Sequence, residues 1–134
     1  MAEKLQTRCV IAGGGPAGIM AGYLLARASV PVIVLEKHAD FFRDFRGDTI
    51  HPSTLELMHE LGLLEEFLKQ PHQEVRELRA VINGEIVTIA DFTKLPTRCK
   101  FIAFMPQWDF LNFLSAHAKR FQSFRLLMEH EVVD

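Results

Sequence analysis

The chain has 134 residues, 49% of them hydrophobic, with a formal net charge of −2 and only two cysteines. That is one domain's worth of chain, able to bury roughly two-thirds of its surface, and its balance of charge offers no electrostatic footprint for nucleic acid or an anionic membrane. Cys9 and Cys99 lie far apart with no CxxC or metal-like spacing, so free or buried thiols, no metal centre and a reducing cytoplasm are expected.

The start, Met1-Ala2-Glu3-Lys4, leads into a strand and is unlike a signal peptide. The apolar run Cys9-Val10-Ile11-Ala12 predicts that strand, and Gly13-Gly14-Gly15-Pro16-Ala17-Gly18 follows it. Gly13 permits a sharp turn out of the strand. Gly15 removes a side chain where backbone must approach a pyrophosphate, and Gly18 lets helix and sheet pack closely. Unpaired N–H groups of the first helical turn, with the helix dipole, then favour a diphosphate. Pro16 suits the first turn, where its missing N–H has no intrahelical partner. Gly13, Gly15, Pro16, Ala17 and Gly18 are therefore the candidate phosphate-binding residues.

A helix is predicted from Pro16 to Ala28, with Arg27 its only charge and Gly18, Gly22 and Ala26 forming a smooth stripe for packing on a sheet. A membrane span across Cys9 to Leu35 is excluded, because glycines, two prolines and Arg27 interrupt the run. Val30 to Leu35 reads as a second strand, apolar on both faces as a central parallel strand would be. Glu36 ends it, eighteen positions after Gly18. A carboxylate there accepts from ribose hydroxyls and repels a 2′-phosphate, which excludes NADP from this site and leaves NAD or FAD.

Lys37 to Thr49 reads as a loop holding Lys37, Arg43 and Arg46 among Phe41, Phe42 and Phe45. Pro52 to Leu61 predicts a helix with capping-box spacing at Ser53 and Glu56, a face of Leu57, Met58 and Leu61, and a stop at Gly62. A short continuation runs from Leu63 to Lys69. Val75 to Ile82 and Glu85 to Ala90 flank Asn83-Gly84, a hairpin signal that interrupts the βαβ rhythm. Phe101 to Met105 is a further short strand. Pro106 and Gln107 open a helix with an apolar face of Phe110, Leu111, Leu114, Ala118 and Phe121, and Phe124 to Met128 is a last strand.

The order Gly13-x-Gly15-Pro16-Ala17-Gly18, Glu36, Arg46 ahead of a helix ending in Leu61-Gly62-Leu63, then Gln107-x-x-Phe110-Leu111-x-x-Leu114, resembles the N-terminal part of the class A flavoprotein monooxygenases. These are FAD-dependent aromatic hydroxylases with the p-hydroxybenzoate hydroxylase fold. The resemblance implies an α/β, Rossmann-type βαβ FAD-binding domain of the glutathione-reductase-like kind, with an inserted β-hairpin from the substrate layer. Residues 1–134 would form the N-terminal part of that domain, with 74–105 contributing strands toward a substrate domain.

Carried over by the resemblance, Gly13, Gly15 and Gly18 hold the FAD pyrophosphate and Glu36 the adenosine ribose. Lys37 stands beside the adenosine, and Arg46 reaches the pyrophosphate or the ribityl side, its fork suited to phosphate. Gln107 bonds the ribityl chain, and the backbone near Val132 meets the adenine. Ser29 departs from the family, which usually has glycine at the end of the first helix. Two later family motifs, an Asp-Gly and a Gly-Asp segment, are absent, so an incomplete domain is expected.

The function so implied is an FAD-dependent oxidoreductase, a monooxygenase using NADPH or NADH on an aromatic or related small organic substrate. No catalytic triad is visible, and none is required where the cofactor performs the chemistry. Two other readings stand beside it. One is an NAD-binding dehydrogenase using the same phosphate turn. The other is a non-catalytic dinucleotide-binding or assembly module that self-associates through an exposed sheet edge.

Overall fold

A computed structural model describes residues 4–42 and 47–133. In chain order the elements are β1 (Cys9–Ala12), α1 (Pro16–Arg27), β2 (Val32–Glu36), β3 (Thr49–Ile50), α2 (Pro52–Glu60), α3 (Leu64–Phe67), β4 (Gln73–Val75), β5 (Glu77–Ile82), β6 (Glu85–Asp91), β7 (Ile102–Phe104), α4 (Gln107–Ala118) and β8 (Phe124–Met128). They fall into two compact units, Met1–Phe45 with Trp108–Asp134, and Arg46–Gln107.

The first unit is an α/β unit around a parallel sheet of order β1-β2-β8. β2 lies between two neighbours, and its Val32, Ile33 and Val34 are all buried, as the doubly apolar run predicts. β1 has a paired neighbour on one side only among the described residues, and Val10 is 59% exposed. Helix α1 packs on all three strands, with Ile19, Tyr23 and Ala26 buried.

The glycine stripe makes that contact possible. A Cβ on Gly22 would stand 2.8 Å from both Phe124 Cε2 and Val34 Cγ2. Helix α1 ends in a Schellman motif, Ser29 N–H donating to Ala26 O at 2.9 Å and Val30 N–H to Leu25 O at 2.9 Å. Ser29 itself takes φ 60°, the left-handed conformation in which glycine is at no disadvantage. Residues 28–30 are thus used in closing the helix, and β2 begins at Val32 rather than at Val30.

The second unit contains an antiparallel sheet of order β3-β7-β4 and a separate β5-β6 ribbon. Asn83 at φ 52° and Gly84 at φ 84° make the two-residue hairpin turn the sequence announces. The predicted strand from Val75 to Ile82 is two strands, however. Gln73–Val75 pairs with β7, the chain breaks at Arg76, and Glu77–Ile82 pairs with β6.

The capping box is also corrected. Pro52 takes the first helical position of α2, which makes His51 the N-cap with no side-chain bond and puts Ser53 two residues too far in. Glu56 Oε2 instead accepts from the Arg98 N–H at 3.0 Å. The buried face of α2 is Pro52, Leu55 and Met58, with Leu57 and Leu61 only half-buried. Gly62 ends the helix as expected, at φ 74°. In α4, Ser115 and His117 join the expected Phe110, Leu111, Leu114 and Ala118 as buried residues. Cys9 is half-buried and Cys99 buried, both as free thiols. Among the described residues no helix is long and apolar enough to cross a membrane.

Candidate functional site

The turn from β1 into α1 has the conformation its glycines predict. Gly13 takes φ 105° and its N–H donates to Leu35 O at 2.7 Å, which ties the turn to β2. Gly15 is the N-cap of α1, its carbonyl accepting from the Ile19 N–H at 2.9 Å. Pro16 follows at the first helical position and Ala17 next. No side chain caps this helix and no acidic residue stands in its first turn. The end that most favours an anion is therefore left to its backbone donors.

The glycines differ in what surrounds them. Cβ atoms added to Gly13 or Gly15 would meet no described atom within 4 Å, so these two positions present bare backbone toward open space. A Cβ on Gly18 would lie 1.9 Å from Gly13 O and 3.3 Å from Ile11 Cγ2. Gly18 thus lets the helix sit on the turn itself. Gly14, which sequence reasoning passed over, is as constrained: a Cβ there would stand 2.9 Å from Glu36 Cβ and 3.1 Å from Glu36 Oε2. The run of three consecutive glycines was the available signal.

Glu36 closes the site from the end of β2. Its Oε2 accepts from the Gly14 N–H at 2.8 Å, and its Oε1 accepts from the His38 N–H at 3.0 Å and lies 2.5 Å from His38 Nδ1. Burial pushes the carboxyl pKa up. Hydrogen bonds from the His38 side chain, the His38 backbone and the Gly14 backbone, with the charge of His38, outweigh that and hold it below its ordinary value. The predicted acid is therefore bonded to the glycine turn, through Gly14 and not through one of the predicted glycines. His38 is the second residue sequence reasoning missed as part of the site; its position two residues after the acid, in the turn leaving β2, is the only sequence sign of it.

The remaining predicted residues are less gathered. Lys37 is exposed beside Glu36. Val132 is 56% exposed beyond β8, in a segment whose Glu129 and His130 N–H groups donate to His38 O and Glu36 O at 3.0 and 2.9 Å. Gln107 is the half-buried first residue of α4. Arg46, like Arg43 and Phe45, lies outside the described residues. Trp108 is half-buried and packs on Phe42, ring centroids 4.7 Å apart.

The residues present fit a dinucleotide, with bare backbone at Gly13 and Gly15, an uncapped helix and an ionised acid at the end of the neighbouring strand. Comparison with known proteins agrees. A family model described as FAD binding domain matches residues 6–134. The chain is 31% identical over 115 residues to an uncharacterized aromatic compound monooxygenase of Bacillus subtilis, covering 86% of this chain and 22% of that protein. It is 31% identical over 111 residues to the rifampicin monooxygenase of Streptomyces venezuelae, covering 81% and 22%.

Among solved structures, p-nitrophenol 4-monooxygenase from Pseudomonas putida shares the fold with a TM-score of 0.84 at 24% identity, covering 99% of this chain and 34% of that one. The chain spans between 22% and 34% of the length of these three proteins.

Proposed function

The chain belongs to the FAD binding domain family of the flavin-dependent monooxygenases, and from that membership we propose that it binds the ADP half of FAD in an NAD(P)H-using monooxygenase of aromatic or related small organic substrates. The observation that carries the proposal is the bond between the Gly14 N–H and Glu36 Oε2, 2.8 Å long. It fixes a carboxylate at the mouth of an uncapped helix, with ribose and diphosphate binding groups at adjacent places on one βαβ unit.

Bound FAD would supply the redox chemistry, taking reducing equivalents from NAD(P)H and passing one oxygen atom of O₂ to the substrate. The chain's own residues bind and orient. Backbone at Gly13, Gly15, Ala17 and Gly18 takes the pyrophosphate, and Glu36 the adenosine ribose. Lys37 is assigned to the adenosine and the backbone at Val132 to the adenine. Arg46 is assigned to the pyrophosphate or ribityl side and Gln107 to the ribityl chain. Residues 74–105 would contribute strands toward a substrate layer. The relatives named as monooxygenases of aromatic compounds and rifampicin support the substrate class.

The test is a titration of the purified chain with FAD, followed by flavin fluorescence and calorimetry. Saturable binding is expected, and Glu36→Ala should weaken it about tenfold or more through loss of charge-assisted bonds to the ribose. Binding of NAD with none of FAD would overturn the proposal in favour of a dehydrogenase. Unchanged FAD affinity in Glu36→Ala would remove Glu36 from the ribose.

A further inference from the structure

Building on the assignment of Glu36 to the adenosine ribose, we propose that His38 is a positioning residue for the cofactor. Its Nδ1–H clamps Glu36 Oε1, so that the carboxylate meets the ribose hydroxyls in a fixed orientation. The geometry is a two-sided grip. Oε1 takes both the His38 N–H at 3.0 Å and His38 Nδ1 at 2.5 Å, while Oε2 takes the Gly14 N–H at 2.8 Å.

An ionised carboxylate only accepts, so at that distance Nδ1 must carry the proton, whether the ring is neutral or charged. The backbone around the grip is fixed as well. His38 O accepts from the Glu129 N–H at 3.0 Å and Glu36 O from the His130 N–H at 2.9 Å, extending the β2-β8 pairing past both strands.

The two side chains differ in exposure, which says which one is held for a purpose beyond packing. Glu36 is 12% exposed and His38 44%. An imidazole this exposed contributes little to a core, yet it sits on the one carboxylate the dinucleotide needs. A glutamate side chain free to rotate would lose that freedom when the ribose binds. Ordering it beforehand moves the entropic cost from binding into folding. His38 therefore acts through Glu36 and sets affinity for the adenosine half without touching the reacting atoms.

The experiment compares FAD and ADP titrations of the wild-type chain with His38→Ala, His38→Gln, His38→Asn and Glu36→Ala. The asparagine amide can place a donor where Nδ1 stands, whereas glutamine reaches past it. His38→Ala and His38→Gln should bind both ligands about three- to tenfold more weakly, and His38→Asn within about twofold of wild type, as expected for one charge-assisted bond.

Each variant should remain folded without ligand at the titration temperature, so that the loss of affinity is not a loss of fold. Wild-type FAD binding that is lost in Glu36→Ala but kept in His38→Ala overturns this inference alone. Wild-type chain with no affinity for FAD or ADP overturns it together with the assignment of the site. Losses that are equal in all three His38 variants and track a fall in melting temperature also overturn it, since they would mark a structural residue.

Discussion

Glu36 shows how a single side chain can carry both fold and function. Its carboxylate joins the first glycine turn to the end of β2 through Gly14, and it is the group assigned to the ribose. Its pKa is lowered in the folded chain, because hydrogen bonds from His38 and Gly14 outweigh the burial that would raise it. A depressed carboxyl pKa contributes stability that is fully present above the unfolded value and is lost as pH falls through the folded one.

The acid limb of the stability curve should therefore steepen below the ordinary value of 4.5. Glu36→Gln should be less stable than wild type at neutral pH, and the gap should close on acidification. Urea midpoints measured between about pH 7 and pH 3 check this. A gap that stays constant over that range would show that the bonds to Gly14 and His38 do not persist in solution. At the same scale, the roles of Gly13, Gly15 and Gly18 could be read from their order alone. Those of Gly14 and His38 could not: Gly14 is defined by an atom of Glu36 that approaches it from another strand, and His38 by a ring that turns back onto the carboxylate two residues before it.

At the level of elements, α1 is the one whose placement the site depends on most. Its uncapped N-terminus is the end assigned to the pyrophosphate, and its Gly18-Gly22-Ala26 stripe sets its depth on the sheet. Gly22 is the critical contact, since Phe124 and Val34 close over it and are 5% and 0% exposed. An alanine there would gain about 1 kcal/mol in helix propensity. It would also force two buried side chains to move from a Cβ at 2.8 Å, and overpacking of this kind costs about 1–3 kcal/mol.

Gly22→Ala should thus be net destabilising, with a melting temperature lower by a few degrees and FAD affinity reduced in parallel as the helix lifts. An unchanged or higher melting temperature would show that the sheet yields without cost. The stripe was legible from its four-residue spacing. Its partners were not, because Phe124 arrives from a strand about a hundred residues later. The failed capping box at Ser53 carries the same lesson at shorter range. A motif spacing is available to the backbone, but Pro52 at the first helical position decides which residue becomes the cap.

On the scale of the whole molecule, the chain makes one unit, leaves it to make a second, and returns to complete the first with α4 and β8. Packing is uneven. β2 is buried between two strands, whereas the β5-β6 ribbon exposes Val81 by 71%, Ile86 by 72% and Ile89 by 65%. A two-stranded ribbon with apolar residues in water has little to hold it beyond its turn and its ladder. Amide exchange should find the β5-β6 protons least protected of the strand amides and those of β2 most protected. Equal protection in the two would mean that the ribbon is covered in solution.

The sequence by itself determined the local grammar: strand, glycine turn, helix, strand and acid in order, the Asn83-Gly84 hairpin, and the Gly62 stop. Each is set by backbone conformations that neighbouring residues impose on one another. The structure alone decided the long-range pairings. These are β8 beside β2, the β3-β7-β4 sheet assembled from three separated segments, and the meeting of Gly14 with Glu36. Strand pairing and the approach of side chains from different strands depend on which surfaces bury each other best, and no local run of residues encodes that choice.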